Sequence, residues 1–311
     1  MDKFKQINKV KDIYANGGNI IKYLKSLNKK DQNTIEDILI SYDFQSGSYI
    51  KGFSENREYK DKYSTALAKV IERLGSFDSI LEAGIGEATT LYSLLDKLTR
   101  IPPNIFGFDI SWSRLKFAKK FLADFDFTDV TLFTTNLFEI PLLDNSIDIV
   151  YTSHSIEPNG GREEDAIREL YRIAGRYVIL LEPSYEFADK VSRDRMKEHG
   201  YVTKLYATAK GLGYNIIEHR LFDYSLNPLN PTGIMIIEKK PSDFNRPNLR
   251  CPVSLTELNS YNGFLLYSKD SCLAYPIIEN IPCLIKENSI LATHLLTNYD
   301  EYKVKNNIFF K

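Results

Sequence analysis

Residues 79–90, Ser79-Ile80-Leu81-Glu82-Ala83-Gly84-Ile85-Gly86-Glu87-Ala88-Thr89-Thr90, decide the fold. Apolar residues run into an acid, then a small residue, then two glycines one position apart. Beyond them Leu91, Leu94, Leu95 and Leu98 recur at helical spacing. The pattern predicts a buried strand, a tight turn and the start of a helix. Such a turn lets backbone approach a ligand closely, because glycine has no Cβ and tolerates positive φ.

Further strands follow at regular intervals. Asn104–Ile110 reads as a second strand ending in an acid, Asp109. A carboxylate there can accept both hydroxyls of a ribose, and this is the favoured reading; the alternative is a cap on a helix over 111–122. Val130–Thr135 reads as a third strand, followed by Asn136 and Leu137. Ile140-Pro141-Leu142-Leu143-Asp144-Asn145-Ser146-Ile147-Asp148-Ile149-Val150 leads into a fourth, which ends at Tyr151–Pro158. Tyr177–Leu181 is a continuous apolar run, as a strand buried on both faces would be. Residues 216–222 and 233–238 read as two more strands joined by a Pro/Asn loop.

A dinucleotide turn would need G-x-G-x-x-G, and Thr89 stands at the third glycine. The chain instead resembles the class I S-adenosylmethionine-dependent methyltransferases of the simple type 11 kind. Glu82-Ala83-Gly84-Ile85-Gly86 resembles their motif I, with Ala88 at a position where the family carries a third glycine. Asp109 stands at motif II, and residues 140–150 resemble the family's "LPF-x-D-x-S-F-D-x-V" segment. The resemblance implies an α/β fold: a Rossmann-like seven-stranded sheet whose last two strands form an antiparallel pair. It also implies S-adenosylmethionine as cofactor, with Glu82 near its methionine end, Asp109 on the ribose and Asn136 at the adenine amino group. Asn136 replaces the family's usual Asp and keeps an acceptor oxygen. Gly84, Gly86, Ile110, Leu137 and Ser153 complete the expected cofactor site.

In open α/β sheets, ligands sit off the carboxyl ends of the strands. His154 and Glu157 fall there, and His154 is the expected base, since imidazole titrates near neutrality. The alternative is that His154 packs or caps locally. Glu182 and Tyr185 follow the fifth strand; they either meet the acceptor or cap the next helix. Residues 1–75 read as a helical cap, with stripes at Ile20, Ile21, Leu24 and Leu27 and at Ile35, Ile38 and Leu39 after a cap at Asn33. Within it Ser41–Ile50 reads as a loop. By the resemblance, Tyr42, Phe44, Gln45 and Tyr49 line the substrate side; the other reading is a helix connection packed by its own aromatics. Residues 193–212 read as one helix.

Net charge is −1 over 311 residues, so no global field draws the chain to nucleic acid. The exception is Lys3, Lys5, Lys9, Lys11, Lys22, Lys25, Lys29 and Lys30, read as a solvated helix face, with RNA or membrane contact as the alternative. Three cysteines make no disulfide framework. The start leads into no apolar h-region, and no stretch is apolar for ~18 residues, so neither a secretory leader nor a membrane span is expected. A cytoplasmic location is the expectation.

Pro241–Pro247 reads as a linker, dividing a domain at 76–240 from a tail at 241–311. In the tail, Cys251-Pro252-Val253-Ser254, Ser268-Lys269-Asp270-Ser271 and Leu273–Leu284 resemble the short zinc-ribbon family that includes activator subunits of tRNA and translation-factor methyltransferases. The metal spacing is kept, but Ser254, Ser268 and Ser271 replace cysteines. Serine hydroxyls are poor zinc ligands, so no metal is expected. The ribbon is instead expected to pack on the main domain through residues such as Leu265, Leu266, Tyr275, Ile277, Ile281 and Leu284.

The reading is a methyltransferase of a small-molecule or sugar-type acceptor, transferring methyl to oxygen or nitrogen. A protein or tRNA substrate and a catalytically inactive cofactor-binding scaffold are the alternatives. A homo-oligomer or a protein contact through the tail is compatible with it.

Overall fold

The computed structural model describes residues 3–28, 32–241, 243–306 and 308. Helices come first: α1 (Ile7–Ala15), α2 (Ile20–Asn28), α3 (Ile35–Phe44), α4 (Ser48–Glu55) and α5 (Arg57–Glu72). Strands and helices then alternate: β1 (Ser79–Ala83), α6 (Thr89–Leu95), β2 (Asn104–Asp109), α7 (Trp112–Ala123), β3 (Val130–Thr134), β4 (Ile147–Ser153), α8 (Glu163–Ile173) and β5 (Ala174–Pro183). They are followed by α9 (Lys190–His199), α10 (Leu205–Gly211), β6 (Asn215–Leu221) and β7 (Thr232–Glu238).

The sheet order is β3-β2-β1-β4-β5-β7-β6. β1 to β5 run parallel, and β7 pairs antiparallel with both β5 and β6. Alternate residues of each strand feed two apolar layers, because side chains along a strand point to opposite faces. Ile80, Ile149, Ile179 and Ile236 join α5, α6 and α7 on one face. Leu81, Val150, Val178, Leu180 and Ile237 join α8 and α10 on the other. At the sheet's centre the strands are buried on both sides, which explains their near-continuous apolar runs.

Three local readings differ. The expected 193–212 helix is two, α9 and α10. Gly200, left-handed at φ 70°, caps α9, and such a residue ends a helix by turning the chain. The cap of α3 is Thr34, not Asn33: its hydroxyl accepts from Asp37 N–H while Asp37 accepts from Thr34 N–H. Asn33 instead donates to the carbonyls of Pro158 and His199. Ser41–Ile50 is the end of α3, a short turn and the start of α4, not a loop throughout. Of the N-terminal lysines, Lys5, Lys9, Lys11 and Lys22 are exposed. Lys3 is buried, paired with Asp37 and donating to Thr34 Oγ1. Lys29 and Lys30 lie outside the described residues.

Beyond the sheet, β8 (Asn259–Tyr261), β9 (Leu265–Ser268), β10 (Leu273–Ile278), β11 (Ile281–Pro282) and β12 (Ile290–Leu291) form a small antiparallel sheet, followed by α11 (Tyr299–Lys305). Its Cys251, Tyr275 and Leu284 are buried in the same apolar layer as α8. The tail also extends the main sheet's edge: Thr134 bridges Cys283 in parallel, and Leu284 N–H donates to Thr134 O at 2.9 Å. The four positions of ribbon ligand spacing hold a polar knot. Cys251 Sγ lies 3.4 Å from both Ser271 Oγ and Tyr275 Oη, and Thr256 Oγ1 lies 2.8 Å from both Ser254 Oγ and Ser268 Oγ. Hydroxyls that bond one another this way are not a ligand set for zinc. Among the described residues no helix is long and apolar enough to cross a membrane.

Candidate functional site

A cavity opens over the carboxyl ends of β1, β2, β3 and β4, roofed by α3, α4 and α5 and by the β6–β7 connection. Of the expected site residues it brings together Glu82, Gly84, Gly86, Asp109, Ile110, Asn136, Leu137, Ser153, His154, Tyr42 and Tyr49. Among the described residues, none of the 241–311 tail lines it.

The floor is set by register. Glu82 on β1 stands opposite Tyr151 on β4, and the Tyr151 hydroxyl donates to Glu82 Oε2 at 2.8 Å. Burial pushes the Glu82 carboxyl up to about 8, against the pull of that hydrogen bond and of the Lys60 charge. Gly84 follows at φ 69°, and a Cβ there would lie 2.3 Å from Ser155 Cβ. Only glycine lets the β1 turn lie this close to the loop that carries His154.

Asp109 at the end of β2 accepts from Gly86 N–H and Ser111 N–H, both at 2.9 Å. It does not cap α7; Ser111 does, accepting from Arg114 N–H. Burial raises the Asp109 pKa, with the Arg114 charge opposing. Asn136 Oδ1 accepts from Phe138 N–H at 2.8 Å, and a carbonyl oxygen retains a second lone pair. Tyr63 on α5 reaches Ser153, their hydroxyls 3.0 Å apart.

His154 directly follows β4 and is left-handed, φ 57°, a conformation rare outside glycine and kept where surroundings enforce it. Its N–H donates to Leu181 O. Nδ1 lies 2.7 Å from Glu157 Oε2 and Nε2 lies 2.8 Å from Thr232 Oγ1. Burial opposes the imidazolium, but the hydrogen bond and charge of Glu157 outweigh it, and the pKa rises above 6.5.

Five expected residues do not line the cavity, and one of them, Phe44, packs against the Tyr14 ring and the N-terminal helices instead. Glu157 lies behind His154, also accepting from Asn230 Nδ2 at 3.2 Å. Glu182 is buried beneath the loop and accepts from the N–H groups of Ser155, Ile156 and Glu157 at 3.0–3.1 Å. Burial pushes it up to about 7, with His154 opposing. Gln45 turns back to Ser41, donating to its carbonyl and hydroxyl. Tyr185 offers its ring to Arg193 and Lys197.

The cavity adds residues that pattern reading missed: Lys60, Arg114, Asn230 and Thr232. The only signal for Arg114 was its place one turn into the helix after Asp109. The roof is tied down by Glu87, which accepts from Gly47 and Ile50 N–H, and by Asp43, which accepts from the Ser111 and Ser113 hydroxyls.

The residues fit S-adenosylmethionine. A glycine cradle, a buried acid at its mouth and a second acid at the end of β2 line one cavity, suited to an ammonium at Glu82 and a diol at Asp109.

Residues 80–176 match the family model described as a methyltransferase domain. No curated protein matches the sequence significantly. Among solved structures the chain is similar to a SAM-dependent methyltransferase from Aquifex aeolicus, 17% identical with TM-score 0.43, covering 55% of this chain and 87% of that one. It is similar to magnesium protoporphyrin IX methyltransferase (ChlM) from Synechocystis PCC 6803 with bound SAH, 15% identical with TM-score 0.46, covering 61% and 86%. A third is a complex between the Haloferax volcanii Trm112 methyltransferase activator and a methyltransferase candidate, 16% identical with TM-score 0.49, covering 63% and 94%. The matched residues run from β1 into β5, and the antiparallel β7 and β6 complete their sheet. The chain thus carries a class I S-adenosylmethionine-dependent methyltransferase domain, and it is an enzyme with S-adenosylmethionine as cofactor.

Proposed function

We propose that the enzyme methylates a small acceptor of the sugar type through a hydroxyl or amine, with His154 as base. The observation that carries this reading is the set of neutral polar and aromatic groups in the cavity wall. Tyr42, Tyr59, Asn159, Asn227, Asn230 and Thr232 contribute rings, amides and a hydroxyl, and Lys60 and Arg114 are cations of the same cavity. Such a lining stacks on and hydrogen-bonds a polyol.

Bound cofactor supplies an electrophilic methyl group on a sulfonium. The chain's own residues do the rest. Glu157 holds the His154 ring through Nδ1, leaving Nε2 to the cavity side. There the Thr232 hydroxyl occupies the place an acceptor hydroxyl would take, within reach of a proton transfer. The Ser155 and Asn230 side-chain oxygens are buried without partners, and an acceptor's N–H or O–H groups would satisfy them. Positioning both reactants away from water accounts for much of the rate such a site can supply.

The test is methyl transfer from S-adenosylmethionine to parallel panels of neutral sugars, nucleotide-linked sugars, peptides and tRNA, read by mass spectrometry. A methylated sugar or other small molecule, with loss of product in His154→Asn, is expected. Product on tRNA or protein alone overturns this reading.

A second reading is favoured by the bridge from Cys283 to Thr134. We take residues 241–311 to be a fused module, divided from the enzyme at 76–240 and its cap at 1–75. The module holds the loop after β3 from both ends, with Leu284 N–H on Thr134 O and Arg250 N–H on Pro141 O. In the Haloferax volcanii complex an activator is a separate chain; here the tail would be an activator built into the enzyme. A protein or tRNA substrate belongs with that reading.

A further inference from the structure

Among the described residues Arg114 is the largest fully buried side chain, 1% exposed, and it lines the cofactor cavity. Its Nε donates to Tyr42 O at 2.9 Å. Its guanidinium carbon lies 4.1 Å from the Tyr49 ring centre and 5.0 Å from that of Tyr42. Nη1 comes within 3.5 Å of Glu87 Oε1, but the Glu87 oxygens already take the Gly47 and Ile50 N–H groups. Among the described residues neither Nη1 nor Nη2 has a hydrogen-bond partner. A buried guanidinium with both terminal nitrogens unpartnered is rare, because each unmet donor carries a desolvation cost.

The free edge of the fork has a definite neighbourhood. A Cβ on Gly86 would sit 3.5 Å from Nη1, and Gly86 N–H is the group that Asp109 Oδ2 accepts. Arg114 and Asp109 therefore converge on the same glycine, inside the same cavity. The acid can only accept, and the guanidinium can only donate. A hydroxyl does both, so a vicinal diol placed between them satisfies each: O–H to the carboxylate, oxygen lone pairs to the fork.

We infer that Arg114 is a second ribose-binding residue, donating its unpartnered N–H groups to the hydroxyl oxygens of the adenosyl ribose opposite Asp109. The inference rests on S-adenosylmethionine as cofactor. It assigns Arg114 a role in cofactor recognition beyond tying the roof to α7.

Calorimetric titration with S-adenosylhomocysteine and with its 2′-deoxy analogue tests it without turnover. Wild-type protein is expected to prefer the ribose ligand by about tenfold or more, the worth of a hydrogen bond to a charged group. Arg114→Met is expected to weaken S-adenosylhomocysteine about tenfold and the 2′-deoxy ligand by less than about threefold. Equal weakening of both ligands, or of neither, overturns the inference and leaves Arg114 as a strut for Tyr42 and Tyr49. If Arg114→Met does not fold, Arg114→Lys decides, since it keeps the cation between the rings without the fork. A preference reduced at least about threefold supports the inference, and the wild-type ratio overturns it. Failure of wild-type protein to bind S-adenosylhomocysteine would instead strike the cofactor assignment.

Discussion

His154 Nδ1 lies 2.7 Å from Glu157 Oε2, on a loop whose backbone is fixed from below by Glu182. The pair raises the imidazole pKa above 6.5 and lowers that of Glu157. A base must be neutral to take a proton, so kcat should rise with pH through a midpoint above 6.5. Glu157→Gln removes the carboxylate that favours the charged ring, and the midpoint should move down. A pH–rate profile with no ascending limb in this range would remove His154 from the base role.

Glu182 acts on that loop through three backbone N–H groups. In Glu182→Gln an amide NH2 must face at least one N–H, since Oε1 takes Ser155 and Ile156 while Oε2 takes Glu157. Stability should fall by about 2 kcal/mol, the range for hydrogen bonds to a charged group. Urea titration measures the loss, and turnover should fall further than cofactor binding does.

Glu82 supplies a linkage with a definite sign. Its folded pKa, about 8, lies well above the unfolded value. Its stabilising contribution is therefore present below the unfolded pKa and lost as pH rises through about 8. Glu82→Gln should flatten the decline of ligand-free stability over that window. An ammonium held at Glu82 would favour the ionised acid, so S-adenosylhomocysteine should then bind more tightly as pH rises towards 8 and release a proton at neutral pH. Calorimetry in buffers of different ionisation enthalpy counts that proton.

Two substitutions in the turn should behave oppositely. Gly84→Ala drives a Cβ to 2.3 Å from Ser155 Cβ at a positive φ, and should cost about 3 kcal/mol from overpacking and strain. Ala88 is itself left-handed, φ 60°, and fully buried. Ala88→Gly relieves about 1 kcal/mol of strain but exposes a void where a methyl group contributed about 0.8 kcal/mol. Its net effect on the thermal midpoint should be small.

The tail should not depend on metal. A chelator should leave the thermal midpoint unchanged. Thr256→Val, which removes the hydroxyl between Ser254 and Ser268, should lower stability by about 1–2 kcal/mol. A midpoint that drops on chelation would return a metal to the ribbon.

The sheet was legible in the sequence because strand and turn signals are local. An acid then two glycines, an acid at the end of the next strand and the continuous apolar run Tyr177–Leu181 each report on their own neighbourhood. Those signals put Glu82, Asp109 and His154 at the carboxyl edge of the sheet, since a parallel strand must present its last residues there. The pattern could not tell that Glu182 would turn under the His154 loop rather than into the cavity. It could not tell that Gln45 would fold back on Ser41. Both outcomes depend on which backbone N–H groups tertiary packing leaves unmet. Thr232 reaches His154 across 78 residues of chain, and Arg114 owes its unpartnered edge to Glu87 being taken up by Gly47 and Ile50. The sequence by itself determined the strand order's raw material and the acids along one edge. Only the tertiary structure decided which polar groups are paired behind the wall and which remain free to face a ligand, because hydrogen-bond partners far apart in the chain meet only when the layers pack.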